Sequence, residues 1–136
     1  MDQRLSLVTL VVADVEAARR FYADGLGWEP AFVGADVAMF RVGEKVLLSL
    51  WDATAAAAEI GEVSGAGAAP LTLAHNVASR EEVDAVLALA RRAGSPRVGE
   101  AVEREWGGYS GYFADPDGFR WEVAQNPGPL GDSLLP

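Results

Sequence analysis

The chain of 136 residues contains no cysteine, no long apolar run and no cluster of basic residues. The absence of cysteine excludes disulfides, thiolate metal sites and cysteine nucleophiles. No apolar stretch is long enough to span a bilayer. The first residues also lack the longer apolar region and small-residue cleavage site of a signal peptide. We therefore expect a cytoplasmic protein without a membrane partner.

Positive charge is also scarce. The chain has 11 lysines and arginines but 20 aspartates and glutamates, which gives a formal net charge of -9. Such a field repels phosphate backbones and anionic lipids, so we expect no nucleic acid partner. A neutral or cationic small ligand fits this sign better, although acidic surfaces also serve to maintain solubility. Half of the residues are apolar, which is enough for one domain with its own core.

The same order of predicted strands and helices occurs twice along the chain. Leu5 to Val12 alternates as a strand does, and Asp14 can then cap a helix. Leu71 to Val77 predicts a second such strand, and Ser79 with Glu82 forms a capping box that opens a second helix. Two hairpins follow, at residues 40–50 and 113–123, and they align without a gap. In this alignment Ser49 corresponds to Glu122.

This repeat predicts an α+β fold with one module before and one after a bridge rich in alanine and glycine. Module one covers about residues 1–52, the bridge about 53–70, module two about 71–127 and a surface tail 128–136. The bridge contains one predicted short helix, from Ala53 to Ile60.

The second hairpin raises the central question of the sequence. Asp115 to Gly118 fits a tight turn, because proline fixes φ at the second position and glycine adopts the strained backbone conformation at the last position. Glu122 follows in the returning strand, between Trp121 and Val123. A buried carboxylate is costly unless it is paired, hydrogen-bonded or bound to a metal. Glu122 is therefore expected to be solvated in a cavity or to bind a ligand.

Two segments, "LVTLVVADVEAARRFYADGLGWEP" and "WGGYSGYFADPDGFRWEVAQNP", resemble the signatures of the vicinal oxygen chelate superfamily. This family includes glyoxalase I, extradiol dioxygenases, fosfomycin-resistance enzymes and bleomycin-binding resistance proteins. The resemblance implies two βαβββ modules that form a curved, cupped mixed sheet with helices outside. It also implies a homodimer.

In metal enzymes of that family, the first and last strands of each module supply the ligands. The corresponding positions here are Leu7, Ser49, Thr72 and Glu122, of which only Glu122 carries a strong donor. We therefore predict no metal and no cofactor, and a small-molecule-binding protein like the bleomycin-resistance branch. It would sequester a hydrophobic or cationic organic compound.

Two catalytic alternatives stay open. One is a glyoxalase-type lyase, isomerase or dioxygenase whose metal is held by Glu122 with unconventional donors such as His75 or a partner chain. The other is metal-free catalysis with Glu122 as general base. Strand alternation turns His75 away from Thr72 and towards the helices, where we expect a packed or hydrogen-bonded side chain. No catalytic residue is assigned.

Alternation along the strands and the aromatic character of "WGGYSGY" define the predicted ligand-binding residues. They combine stacking area, hydroxyl and amide groups, one carboxylate and one guanidinium. Glu122 would act either as a charge partner for a bound cation or as a carboxylate tied to Arg120 or another local donor. The predicted set is Glu122, Trp51, Ser49, Thr72, Asn76, Trp106, Tyr109, Tyr112 and Arg120.

Overall fold

The structure is a computed structural model that describes residues 1, 3, 5–61 and 71–135. The described residues divide into two compact units, one ending before and one beginning after the undescribed stretch 62–70. The remainder of the predicted bridge, after its helix, lies outside the described residues. Among those residues, no helix combines the length and the apolar character needed to cross a membrane.

Module one contains four strands, and its sheet has the order β1-β4-β3-β2. Strand β1 runs parallel to β4, whereas the other neighbours are antiparallel. The elements are β1 (Leu7–Val12), α1 (Val15–Arg20), β2 (Pro30–Val33), β3 (Val37–Gly43), β4 (Val46–Asp52) and α2 (Ala53–Ile60). Helix α2 thus confirms the predicted bridge helix.

Module two repeats this plan with the sheet order β5-β8-β7-β6. Strand β5 is parallel to β8, and the other neighbours are again antiparallel. The elements are β5 (Thr72–Asn76), α3 (Arg80–Arg92), β6 (Val102–Glu103), β7 (Tyr109–Ala114), β8 (Arg120–Gln125) and α4 (Pro129–Asp132). Short helix α4, which begins with proline at its first position, was not predicted in the surface tail.

The first helix of each module begins where its capping residue predicts. The Asp14 carboxylate accepts a hydrogen bond from the Ala17 amide at 2.9 Å, and Ser79 and Glu82 form the complete capping box. At the C-terminal end of helix α1, the chain continues as a π-helical turn over Phe21–Gly25. Both aromatic residues at the start of this turn, Phe21 and Tyr22, are buried.

The strand registers confirm the internal repeat. Phe40 lies opposite Leu48 in module one, and Phe113 lies opposite Trp121 in module two. All four side chains are buried on the helix-covered faces of their sheets. The α+β class and the two βαβββ modules are therefore confirmed. The cupped sheet and the dimer stay predictions.

The turn between β7 and β8 is held by a fully buried carboxylate. Asp115 Oδ1 accepts hydrogen bonds from the amides of Asp117 and Phe119, at 3.1 and 2.9 Å. Gly118 has φ 90°, a left-handed conformation that favours glycine. This turn sets the register that puts Glu122 opposite Tyr112.

Candidate ligand-binding site

Strand β8 has one face covered by helix α3 and one open face within module two. Trp121 and Val123 are buried on the helix side, at 7% and 0% exposure. Because side chains alternate along a strand, Arg120 and Glu122 lie on the open face. Arg120 is exposed, and Glu122 is half-buried. The alternation predicted for β8 is thus the one observed.

Glu122 is held by a tyrosine on the neighbouring strand. The Tyr112 hydroxyl donates a hydrogen bond to Glu122 Oε1 at 2.8 Å. Burial raises the pKa of the Tyr112 phenol above its usual range, and the hydrogen bond to the carboxylate raises this pKa further. Of the two predicted roles of Glu122, the tie to a local donor is present, and that donor is Tyr112.

An arginine from the segment after β6 completes this arrangement on the open face of module two. The Arg104 guanidinium carbon lies 5.5 Å from the centre of the Tyr112 ring, within range of a cation–π interaction. Its Nε and Nη2 atoms donate to the hydroxyl and the carbonyl of Ser110, at 2.9 and 3.1 Å. Tyr112 is therefore positioned between a carboxylate and a guanidinium.

The predicted residues on β5 share the face of Glu122. Thr72 is in register with Arg120, and Asn76 is in register with Ala124. Neighbouring residues in register point to the same side of a sheet, so both side chains belong to the open face of module two. Thr72 is exposed and Asn76 is half-buried.

Ser49 and Trp51 occupy the equivalent face of module one. They are in register with Thr9 and Val11 on β1. Ser49 is only 2% exposed, whereas Trp51 is half-buried and retains accessible ring area. Each module thus has an open face that carries some of the predicted residues.

Two predicted aromatic residues lie elsewhere in module two. Tyr109 lies on the helix side, where its hydroxyl donates to Asp84 of α3 at 3.0 Å. That hydrogen bond raises the pKa of Tyr109 above its usual range. Trp106 is 52% exposed in the turn before β7, and its ring lies against Gly108. Neither residue joins Tyr112 beside Glu122.

His75 corrects a further expectation. Its register partner Val123 is on the helix side, which agrees with the predicted direction of the side chain. The histidine is nevertheless exposed, not packed. Its alternation relative to Ala74, the partner of Glu122, turns its ring away from the carboxylate.

The four positions that the family resemblance marks as metal ligands do not offer a divalent ion enough strong donors. Leu7 has no donor atom, and Ser49 and Thr72 are neutral hydroxyls, which bind such ions weakly. The Glu122 carboxylate already accepts the Tyr112 hydrogen bond. Within the described part of the chain, no group of three or more histidine, cysteine, aspartate or glutamate side chains could hold an ion.

The sequence interpretation missed Arg97, Arg104 and Ser110. Ser110 could have been found, because it alternates with Tyr112 along β7 and therefore shares its face. Arg97 and Arg104 lie outside regular strands. Only the folded backbone brings these two arginines to the open face.

Two βαβββ modules, with a glutamate on the last strand of the second, define the class of glyoxalase-like proteins. The family model described as "Glyoxalase/Bleomycin resistance protein/Dioxygenase superfamily" matches residues 4–123. The chain belongs to this superfamily. No curated protein matched in the corresponding comparison.

Solved structures of similar proteins agree with this assignment. A glyoxalase-related enzyme from Fulvimarina pelagi is 32% identical with a TM-score of 0.84, and the alignment covers 92% of this chain and 89% of that one. A glyoxalase/bleomycin resistance protein/dioxygenase from Nocardioides is 25% identical with a TM-score of 0.78, over 96% and 91% of the two chains. A lactoylglutathione lyase from Agrobacterium tumefaciens, 23% identical with a TM-score of 0.71 over 91% and 94%, shares the fold.

Proposed function

We propose that this chain is a metal-independent small-molecule-binding protein that sequesters a hydrophobic or cationic organic ligand. The proposal rests on the hydrogen bonding of Glu122, which is the one strong metal donor among the four expected ligand positions. Its carboxylate accepts a hydrogen bond from the Tyr112 hydroxyl, and among the described residues it belongs to no group of three or more acidic, histidine or cysteine side chains that could hold an ion. This arrangement suits the orientation of an organic molecule better than the coordination of an ion.

The open face of module one supports the hydrophobic part of this proposal. In addition to Trp51, its strands present Val37, Met39 and Leu47, of which Val37 is in register with Trp51 and Met39 with Ser49. Val37, Met39, Leu47 and Trp51 are all half-buried, so they keep apolar surface available for a ligand. An aromatic compound could stack on Trp51.

Glu122 supports the cationic part of the proposal. Among the described residues, only Oε1 of this carboxylate has a hydrogen-bond partner, so Oε2 is available to a bound cation. The Tyr112 bond fixes the orientation of the carboxylate, which reduces the entropy that a ligand must remove on binding.

Elemental analysis of protein purified without chelator tests the metal-independent character. We expect no stoichiometric nickel, zinc, manganese or iron in the wild type. Stoichiometric metal that disappears in Glu122→Gln but persists in Glu44→Gln would contradict the proposal. Glu44 lies in the exposed turn of the first hairpin and so controls for the loss of one carboxylate.

A thermal-shift screen against glycopeptides and other aromatic antibiotics tests sequestration. A ligand present at one hundred times its Kd should stabilise the protein by about 2.7 kcal/mol. Trp51→Ala should weaken an aromatic ligand by about 1 kcal/mol, whereas Leu130→Ala, which removes an exposed apolar side chain from α4, should not. A flat response across the panel would count against binding of this kind.

A catalytic function is the second candidate, because the 32% identical relative from Fulvimarina pelagi is described as a glyoxalase-related enzyme. For this chain, such a function would require Glu122 to hold a metal with donors outside the expected set, or to act as general base itself. The elemental analysis separates the metal-dependent form of this candidate from ligand sequestration.

We also propose a homodimer, as the family resemblance implies. Light scattering coupled to size-exclusion chromatography should then give twice the chain mass of 14.4 kDa. A monomer mass over the accessible concentration range would contradict this part of the proposal.

A further inference from the structure

A hollow opens on module two at the turn-proximal end of β7 and β8. Its volume is about 230 Å³, and its lining includes Arg97, Gly99, Tyr112, Ala114 and Arg120. Ala114 lies between the two arginines: it is in register with Arg120, and its amide donates to the Arg97 carbonyl at 2.8 Å. We call this hollow the Arg97–Arg120 pocket.

Small residues explain why the pocket exists. Ala114 offers a single methyl group between the two long arginine side chains. Beside it, the Gly99 amide donates to the Tyr112 carbonyl at 2.8 Å, so a residue without a side chain lies next to the tyrosine. Larger side chains at positions 99 and 114 would fill the space that the guanidinium groups border.

The charges around this pocket oppose the charge of the whole chain. Within the described ranges, no carboxylate lies at ion-pair distance from Arg97 or Arg120. The acid that lines the pocket, Glu100, pairs with Arg91 at 3.0 Å, on the side of α3. Two arginines therefore line one hollow, with no acid paired to either of them in the described part of the chain, in a protein of formal charge -9.

From this geometry we infer that the Arg97–Arg120 pocket binds the oxyanion group of a small organic molecule, a carboxylate or a phosphate. The planar guanidinium carries paired N–H donors whose spacing matches the oxygens of a carboxylate or a phosphate. Two guanidinium groups can bind one such anion together. The pocket is too small for a drug-sized ligand, so it suits an end group or a small anion. The Tyr112 ring provides apolar surface for the adjoining part of the molecule.

This inference goes beyond the proposed function. Net charge alone favoured a cationic or neutral ligand, but a local pair of arginines attracts an anion. Nearby charges outweigh distant ones when salt screens the field. The pocket shares Tyr112 and Arg120 with the predicted ligand-binding residues, whereas Arg97 was not among them.

Amide and arginine Nε resonances in a nitrogen-15 NMR titration test the pocket directly. The probes are inorganic phosphate, phenyl phosphate and benzoate, with benzyl alcohol as the neutral counterpart of benzoate. We expect phenyl phosphate or benzoate to shift the resonances of Gly99, Ala114 and both arginines, with an affinity that falls as salt rises. Benzyl alcohol should not shift them. Comparison of benzoate with phenyl phosphate identifies which oxyanion the pocket prefers.

The double variant Arg97→Gln/Arg120→Gln should lose at least about tenfold in affinity, which corresponds to about 1.4 kcal/mol. Arg92→Gln is the matched control, because it removes one exposed guanidinium from the end of α3 outside the pocket. Arg120→Lys keeps the positive charge but removes the paired guanidinium donors, so it should lose part of the affinity for the anion. The spectrum of each variant reports whether it is folded.

Two results would overturn the inference. One is the absence of a saturable shift with any of the three anions up to about 10 mM. The other is equal affinity in wild type, the double variant and Arg92→Gln. The thermal-shift screen remains independent of both. A hydrophobic ligand that still stabilises the double variant supports sequestration even if the anion pocket fails, and anion binding can succeed when that screen is flat.

Discussion

The open faces of the two modules share one backbone register but differ in chemistry. Ser49 of module one corresponds to Glu122 of module two, and Met39 corresponds to Tyr112. Met39 lies opposite Ser49, and Tyr112 lies opposite Glu122, at the same distance from the hairpin turn. Module one presents mainly apolar side chains there. Module two presents a carboxylate, a phenol and arginines, so a common fold supports two different recognition surfaces.

The helix-covered faces differ much less. Phe40 is 1% exposed and lies among Tyr22 and Trp28, and Phe113 is 3% exposed and stacks on Trp121. Both modules thus bury an aromatic residue at the same place in the hairpin. The two modules are therefore alike on the helix-covered face of each sheet and differ on the open face, because the buried face must pack against helices.

Replacement of the buried phenylalanine in each module should cause the largest loss of stability, and it tests whether the two cores are equivalent. Phe40→Ala and Phe113→Ala should each lower the free energy of unfolding by about 3–5 kcal/mol, through lost burial and the cavity that remains. Urea denaturation, followed by tryptophan fluorescence and circular dichroism, measures both. A loss below about 1 kcal/mol at either position would show that the two modules do not depend equally on this aromatic residue.

A smaller effect should separate the two hairpin turns. Asp115→Ala leaves the amides of Asp117 and Phe119 without their acceptor and should cost about 1–3 kcal/mol. Glu44→Ala, in the other turn, removes an exposed side chain and should stay within about 0.5 kcal/mol. Urea denaturation of both variants provides the comparison, and equal losses would contradict the role given to the buried carboxylate.

The smallest effect concerns the hydrogen bond that only module two has. Tyr112→Phe should cost about 1 kcal/mol, because the bond to Glu122 is partly exposed to solvent. The raised pKa of Tyr112 also favours the folded state. This contribution is complete below the usual tyrosine pKa of about 10 and is lost as pH rises through the raised folded-state value.

Unfolding at several pH values between neutral and strongly alkaline tests this linkage. Wild-type stability should fall more steeply above the usual tyrosine range than the stability of Tyr112→Phe. Met39→Leu, at the equivalent position of module one, is the control and should keep the wild-type slope. An identical slope in Tyr112→Phe would mean that this phenol does not couple ionisation to folding.

Local signals predicted most of the fold. The caps at Asp14 and Ser79, the alternation of β1 and β5, and the turn at Asp115 act within a few residues, so their outcome can be inferred without the rest of the chain. The π-helical turn at Phe21–Gly25 could not be inferred in this way. It has no sequence signature separate from that of an α-helix.

The candidate site was only partly predictable. Alternation correctly put Thr72 and Asn76 on the face of Glu122, since they lie on a regular strand next to β8. It gave no guidance for Trp106, which lies in a turn, and the aromatic motif alone did not reveal that Tyr109 bonds to α3. Alternation gave the direction of the His75 side chain but not what covers it, so it did not predict that this residue is exposed.

The duplicated modules, the family and the scarcity of metal donors follow from short segments, because periodicity, caps and residue identity are local properties. Which groups meet depends on the folded chain: Tyr112 with Glu122, Arg104 with Ser110, and Arg97 with Arg120 across Ala114. These contacts depend on strand register and on the path of the chain between Gly94 and Tyr109. Charges that lie far apart in the sequence act on each other only after folding brings them within a few ångströms.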